Sequence, residues 1–197
     1  MNKKALIIFA LLVLLALSSC TRTEADNVDV SEIPISVIEA SWLYDIYNVN
    51  KKVGVSDYVF VADVITVGET EYRSVWQNNE DGEIKTYGDP YTHFTVKVVD
   101  NIKGSLITGE PIELVKDGGV SMDKSVLVLY EGDKLPEQGK RYIFLATAQN
   151  DGSLLISGPT SNPEYSDELC EQYREAYRNE EVPLERPRFS SRYDSEK

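Results

Sequence analysis

Between Asp57 and Ile156 the chain is cut into short β-forming runs by glycine-bearing turns, and this constrains its fold more than any other feature. Asp57–Val67 is rich in β-branched and aromatic residues, and Gly68 ends it. Tyr72, Val75 and Trp76 suggest a second strand leading into the turn Asn79-Glu80-Asp81-Gly82. An Asp-Gly pair supplies the positive φ angles a tight hairpin needs. Tyr91–Val99 alternates, with Phe94, Val96 and Val98 on one face and His93, Thr95 and Lys97 on the other. Further strands are expected at Pro111–Val115, Ser125–Tyr130, Arg141–Thr147 and Leu154–Ile156, with turns at Ile102-Lys103-Gly104, Asp117-Gly118-Gly119 and Asn150-Asp151-Gly152. Six to eight short strands without strand–helix alternation predict a mainly β fold, an OB-like small barrel or a sandwich.

The flanks differ from this pattern. Val37, Ile38, Trp42, Ile46 and Val49 roughly fit helical spacing, so a helical piece is expected within 35–55 despite Asn48, Asn50 and Gly54. At the other end Ser166 is a plausible N-cap, with Asp167 and Glu168 where the helix dipole favours acids. Leu169, Tyr173, Ala176 and Tyr177 would share the buried face of that C-terminal helix, bordered by Cys170. The barrel domain is thus expected over 35–180, followed by a polar tail over 181–197, with Pro183 and Pro187, that reads as disordered.

The first residues carry a different signal. Met1-Asn2-Lys3-Lys4 is cationic, and Ala5–Leu17 is an apolar run of thirteen residues. Such a run covers only ~20 Å of a ~30 Å hydrocarbon core, which suits a cleaved signal peptide better than a spanning helix. Leu17-Ser18-Ser19-Cys20 then resembles the lipobox of bacterial lipoproteins. The resemblance implies a signal peptide over 1–19, lipidation of Cys20 by a diacylglycerol thioether, and often acylation (palmitate or a similar chain) of its new amino group. An ordinary secretory signal and an uncleaved anchor are the alternatives. Residues 20–34 are polar and acidic and read as a lipidated tether. The expected location is the extracytoplasmic face of a cell membrane, with a Gram-positive plasma membrane favoured.

The chain carries a net charge of −13; its first nineteen residues contribute +2, so the part from Cys20 onward carries −15. This charge repels phosphate backbones and anionic lipid surfaces, which disfavours nucleic acid as a partner and leaves membrane attachment to the lipid. The two cysteines are Cys20 and Cys170. With Cys20 lipidated no intramolecular disulfide forms, and Cys170 reads as a small buried apolar residue.

The order of motifs also resembles a group of Gram-positive envelope proteins with an OB-like, five-stranded barrel of the netrin and tissue-inhibitor-of-metalloproteinase type. The residues that carry this are Ser56–Val64, Thr92–Val98 with Ile102-Lys103-Gly104, Gly118-Gly119, Gly139–Ala146 and Gly152–Leu155, so the likeness spans roughly 56–158. Tissue inhibitors place a disulfide-tethered N-terminal cysteine on a protease zinc. Here Cys20 is expected to carry lipid and the matching disulfides are absent, so the resemblance implies a fold and not protease inhibition.

No catalytic, metal or cofactor residues are assigned. His93 is the one histidine and reads as a solvated strand residue. A zinc site wants several His or Cys ligands. Asn78–Glu83 looks like a calcium-loop fragment, but a register with Gly82 as the turn glycine puts Gln77 and Gly88 at ligand positions, so a hairpin is the better reading. Twelve tyrosines and two tryptophans could line a groove for a sugar or peptide. The expected function is a binding or interaction module for a cell-surface ligand or protein, without catalysis. The alternative is a small envelope hydrolase using carboxylates, and a third class is a spacer. A binder should show an exposed aromatic cleft, a hydrolase acids converging in a pocket, and a spacer neither.

Overall fold

In a computed structural model, which describes residues 33–183 and 185–195, the fold is mainly β. The expected signal peptide (1–19), Cys20 and the expected tether as far as residue 32 lie outside the described residues. The elements are β1 (Ile35–Ile38), α1 (Val49–Val55), β2 (Tyr58–Glu80), β3 (Glu83–Lys103), β4 (Pro111–Asp117), β5 (Gly119–Val120), β6 (Leu127–Tyr130), β7 (Arg141–Ala148), β8 (Leu154–Ile156) and α2 (Asp167–Arg178). Five strands close a barrel in the order β2-β3-β4-β8-β7, and β1-β6-β5 form a separate small sheet. The OB-like small barrel with a C-terminal helix is therefore present.

Two runs of near-identical character build the barrel wall. Tyr58-Val-Phe-Val-Ala62 pairs antiparallel with Tyr142-Ile-Phe-Leu-Ala146, so that Phe60 faces Phe144 and Ala62 faces Tyr142. Both runs are continuously apolar because both faces are covered. Inside the barrel, Phe60, Phe94, Phe144, Ile112, Leu114 and Ile156 pack together. On the outside, Val59, Val61, Ile143 and Leu145 meet Val53 of α1 and Cys170, Tyr173 and Ala176 of α2. β3 alternates instead, since Phe94, Val96 and Val98 point inward while His93, Thr95 and Lys97 do not. Ser166 caps α2 by accepting from Leu169 N at 3.1 Å. Cys170 sits inside the helix's buried face, with its thiol pushed up by burial, and Tyr177 is the more exposed residue.

An interior lysine closes one end of the barrel. Lys116 follows Ile112 and Leu114 on the inward face of β4 and is fully buried. Its Nζ lies 2.9 Å from Asp133, which the loop after β6 brings in, and 3.2 Å from Ser161 Oγ. Burial pushes this ammonium down.

Three expectations need correction. Residues 35–38 form a strand, parallel to β6, and only Val49–Val55 is helical. Backbone pairing decides this, because Leu127 N donates to Pro34 O at 2.8 Å and Glu131 N to Ile38 O at 3.1 Å. Gly68 does not end a strand either. β2 runs through it to Glu80, because a side chain there would crowd His93 across the ladder at 3.2–3.3 Å and glycine does not. Nor are residues 185–195 a free tail. Arg186 and Arg188 reach Asp57 at 2.8 and 2.9 Å, Ser191 N donates to Tyr58 Oη at 2.8 Å, and Ser195 N to Ser105 O at 2.7 Å. Two cations on a nearly buried carboxylate hold this polar segment to the barrel.

Candidate functional site

Beyond the barrel, β2 and β3 continue as a two-stranded arm that ends at Asp81-Gly82, both with positive φ (53° and 87°). The Asn79 side chain accepts from Gly82 N at 3.0 Å, so Asn78–Glu83 is the expected hairpin. Register shifts at Val64/Thr66, Val67/Thr70 and Arg73/Trp76 bend and twist the arm. Its root is tied to the small sheet, since Gly118 N donates to Pro90 O at 2.9 Å and Tyr72 Oη donates to Val120 O at 3.0 Å. Arm and small sheet thus enclose a cleft of about 440 Å³.

Four aromatic rings line it. Trp76 pairs with Tyr87 across the ladder, and the two rings stack at 4.6 Å and 22°. Trp76 keeps 53% of its surface exposed, far more than a core tryptophan would. Tyr91 lies nearer the barrel with the Arg73 guanidinium over its ring at 4.0 Å. Tyr130, from β6, packs against Trp42 at 5.4 Å.

Hydrogen bonds fix these rings. Tyr87 Oη donates to Glu80 at 2.6 Å, and Lys85 Nζ lies 2.9 Å from the same carboxylate. The two partners hold Glu80 below the usual carboxylate range. Tyr130 Oη donates to Asp117 Oδ2 at 3.0 Å, and Ser157 Oγ donates to the same oxygen at 3.0 Å. Burial, and then the Asp117 charge, push Tyr130 up to about 12. Arg73 is itself held by Glu71 at 2.6 Å, and Glu71 meets His93 Nε2 at 3.0 Å.

The ionic groups in the lining are Asp89 and Asp117. Among the described residues neither has a cationic side chain within 4.0 Å. The remaining lining is apolar, aromatic or backbone, and contains no Lys, Arg, His, Ser, Thr, Asn or Gln. The cleft is therefore rich in hydrogen-bond acceptors and poor in donors.

Depressions continue it on both sides. One, of about 350 Å³, shares Ile38 and Tyr130 and extends over Trp42 and Tyr47 to Glu131. Another, of about 610 Å³, shares Tyr87, Gly88 and Val128 and extends to Met122 and Asp123. The Ser121 and Ser125 hydroxyls hold Asp123 down at about 2. The second depression also contains Lys85, which Glu80 already binds.

No known family model matches this chain, and no curated protein is significantly similar to it. The functional reading rests on the cleft itself. His93 lies on the arm's root with Glu71, outside the cleft lining. Among the described residues no group of three or more His, Cys, Asp or Glu side chains is placed to hold a metal ion, and no helix is long and apolar enough to cross a membrane.

The tyrosine and tryptophan content pointed to a groove without saying which rings form it. Trp76, Tyr87, Tyr91 and Tyr130 come together because the arm meets the small sheet through distant segments, Tyr91 bridging to Gly118 and Tyr72 bonding Val120. Asp89 and Asp117 carried no signal in the sequence beyond being two acids among thirty-three.

Proposed function

We propose that this chain is a membrane-anchored lipoprotein whose barrel domain binds a ligand at the extracytoplasmic face of the cell. The anchor is a diacylglycerol thioether on Cys20, with Gram-positive envelope proteins of OB-like fold as its relatives. What supports the anchor is the charged start, the short apolar run and Leu17-Ser18-Ser19-Cys20. Two acyl chains bind a bilayer far more firmly than one. Ile38 lies eighteen residues after Cys20, so an extended tether keeps the cleft within about 65 Å of the bilayer.

The observation that carries the binding reading is the exposed, pre-organised Trp76–Tyr87 pair over a concave floor. A solvent-exposed stacked pair with its hydroxyl tied down contributes contact area at little entropic cost. The test is cosedimentation of the full chain with isolated bacterial cell envelopes, beside Trp76→Ala. Binding by the wild type that the substitution abolishes is the expected result. Equal sedimentation of both proteins, or of neither, would overturn the reading. Intact mass and membrane fractionation beside Cys20→Ala test the anchor separately.

Asp89 and Asp117 on one cleft give the carboxylate-hydrolase reading a specific observation of its own. A general acid, however, needs surroundings that hold its proton at neutral pH. Asp89 is exposed rather than enclosed in an apolar pocket, and Asp117 Oδ2 is already engaged by the Tyr130 and Ser157 hydroxyls. These features support binding over acid catalysis. Turnover of envelope polymers that Asp117→Asn abolishes would reverse that preference.

A further inference from the structure

The geometry points to a cationic occupant of the aromatic cleft, the lysine or arginine side chain of an extended peptide segment from another protein. This inference rests on the cleft being a binding site and names its ligand class. Its first support is the mismatch of donors and acceptors. Among the described residues no cation lies within 4.0 Å of Asp89 or Asp117, since Arg73, opposite Asp89 in the ladder, is held by Glu71, while the hydroxyls of Tyr87 and Tyr130 are spent on Glu80 and Asp117. An anion would need donors, which the side chains here supply only through the Trp76 indole N–H and the Tyr91 hydroxyl, and a neutral polyol that donates to Asp89 and Asp117 leaves their charges uncompensated. A guanidinium or ammonium brings its own donors and neutralises the acids.

Ring geometry is the second support. The exposed face of the Trp76–Tyr87 stack offers the negative side of an aromatic quadrupole to a cation. The molecule already makes the same contact beside the cleft, with Arg73 over Tyr91 at 4.0 Å.

Continuity of the groove is the third. The depressions on either side carry Glu131 and Asp123, and the lysine in one of them is neutralised by Glu80. Carboxylates are thus spaced over three neighbouring depressions that share lining residues, a reach longer than a single side chain, as an extended basic segment requires. The chain's net charge of −13 draws such a segment in.

Trp42 and Trp76 are the chain's two tryptophans, and both border this groove, so intrinsic fluorescence reports occupancy directly. The experiment titrates the full chain, in non-ionic detergent, with the blocked peptide Ala-Arg-Ala-Arg-Ala. Parallel titrations use the same peptide with citrulline for arginine, spermidine, and a neutral oligosaccharide. We expect saturable quenching by the arginine peptide, weakening with salt. Citrulline should bind at least about tenfold more weakly, and Asp89→Asn or Trp76→Ala should weaken the arginine peptide by about threefold to tenfold or more. Asp89 and Trp76 are exposed, so both variants should fold, and Asp117→Asn is the second carboxylate variant.

Equal binding of the citrulline and arginine peptides, or Trp76-dependent binding of the oligosaccharide alone, overturns the cationic assignment and leaves the binding cleft standing. Spermidine binding as tightly as the peptide overturns the peptide assignment in favour of a free polyamine. Absence of quenching by every probe sinks the cationic inference, and envelope cosedimentation with Trp76→Ala then decides the cleft separately.

Discussion

β2 and β3 each serve two regions. Near the barrel, Tyr58–Val64 and Phe94–Lys103 are staves whose inward side chains are fully buried. Beyond Val67 the same two strands form an arm in which Val75, Trp76 and Ile84 are each more than half exposed. Backbone pairing runs through both regions with register shifts in each, so the ladder does not distinguish them. What differs is what the side chains meet. Staves are held by burial, on both faces in Tyr58–Ala62 and on the inward face in β3, while the arm is held by cross-strand pairs such as Trp76–Tyr87 and Lys85–Glu80. A region that owes little to burial can leave its rings in water, which a binding surface needs.

The largest test of this contrast is truncation of matched aromatics. Phe60→Ala or Phe94→Ala should cost about 3–5 kcal/mol in chemical denaturation. Trp76→Ala should cost under about 1 kcal/mol in the same assay while removing binding. Similar losses at both places would mean that the arm belongs to the core. Lys116 gives a second test, because removing one partner of a buried pair strands the other. Lys116→Ala should cost about 3 kcal/mol, and Lys116→Met with Asp133→Leu should restore most of it. No ion pair of the arm should behave this way, since Lys85 and Glu80 are partly exposed.

Dependence on pH should divide along the same line. Burial lowers Lys52, on α1, to about 8, where its Nζ donates to Tyr173 Oη at 2.8 Å. Its folded value lies below its unfolded one, so the unfolded chain holds the proton longer. Stability should therefore rise from pH 8 to 10, by on the order of 2 kcal/mol. Above that range it should fall, because Tyr58, Tyr130 and Tyr173 are pushed up to about 12 and resist ionising in the fold. Urea denaturation across this range checks it, and Lys52→Met should remove most of the rise, with any remainder due to Lys116. The smallest expected effect is Gly82→Ala, at the positive-φ arm tip. It should cost about 1 kcal/mol and speed amide exchange in the arm alone.

What could be read from the sequence was local. Alternation at Phe94, Val96 and Val98, the Asp81-Gly82 hairpin and the Ser166 cap depend on residues close in the chain, and all three stand. Errors arose where distant partners decide. Ile35–Ile38 looks helical until β6 pairs with it, and Gly68 looks like a stop until His93 faces it. The polar segment with Arg186 and Arg188 looks unstructured until Asp57, some 130 residues earlier, is placed beside it. Lys116 was legible in principle, since it falls on the inward beat of Ile112 and Leu114. A charged residue is read as outward by habit, and only Asp133 makes the inward position tolerable. The cleft was the least legible part, as its rings come from the arm and from β6.

The register shifts along β2 bear on how such a protein can diversify. In an uninterrupted ladder, inserting one residue turns every later side chain to the opposite face. Between the staves and the arm tip, the shifts at Val64/Thr66, Val67/Thr70 and Arg73/Trp76 already absorb unmatched residues. Insertions and deletions falling there can lengthen, shorten or re-aim the arm while Tyr58–Asp63 keeps its pairing with β7. Lineages can thus revise what the cleft recognises while the barrel is inherited unchanged.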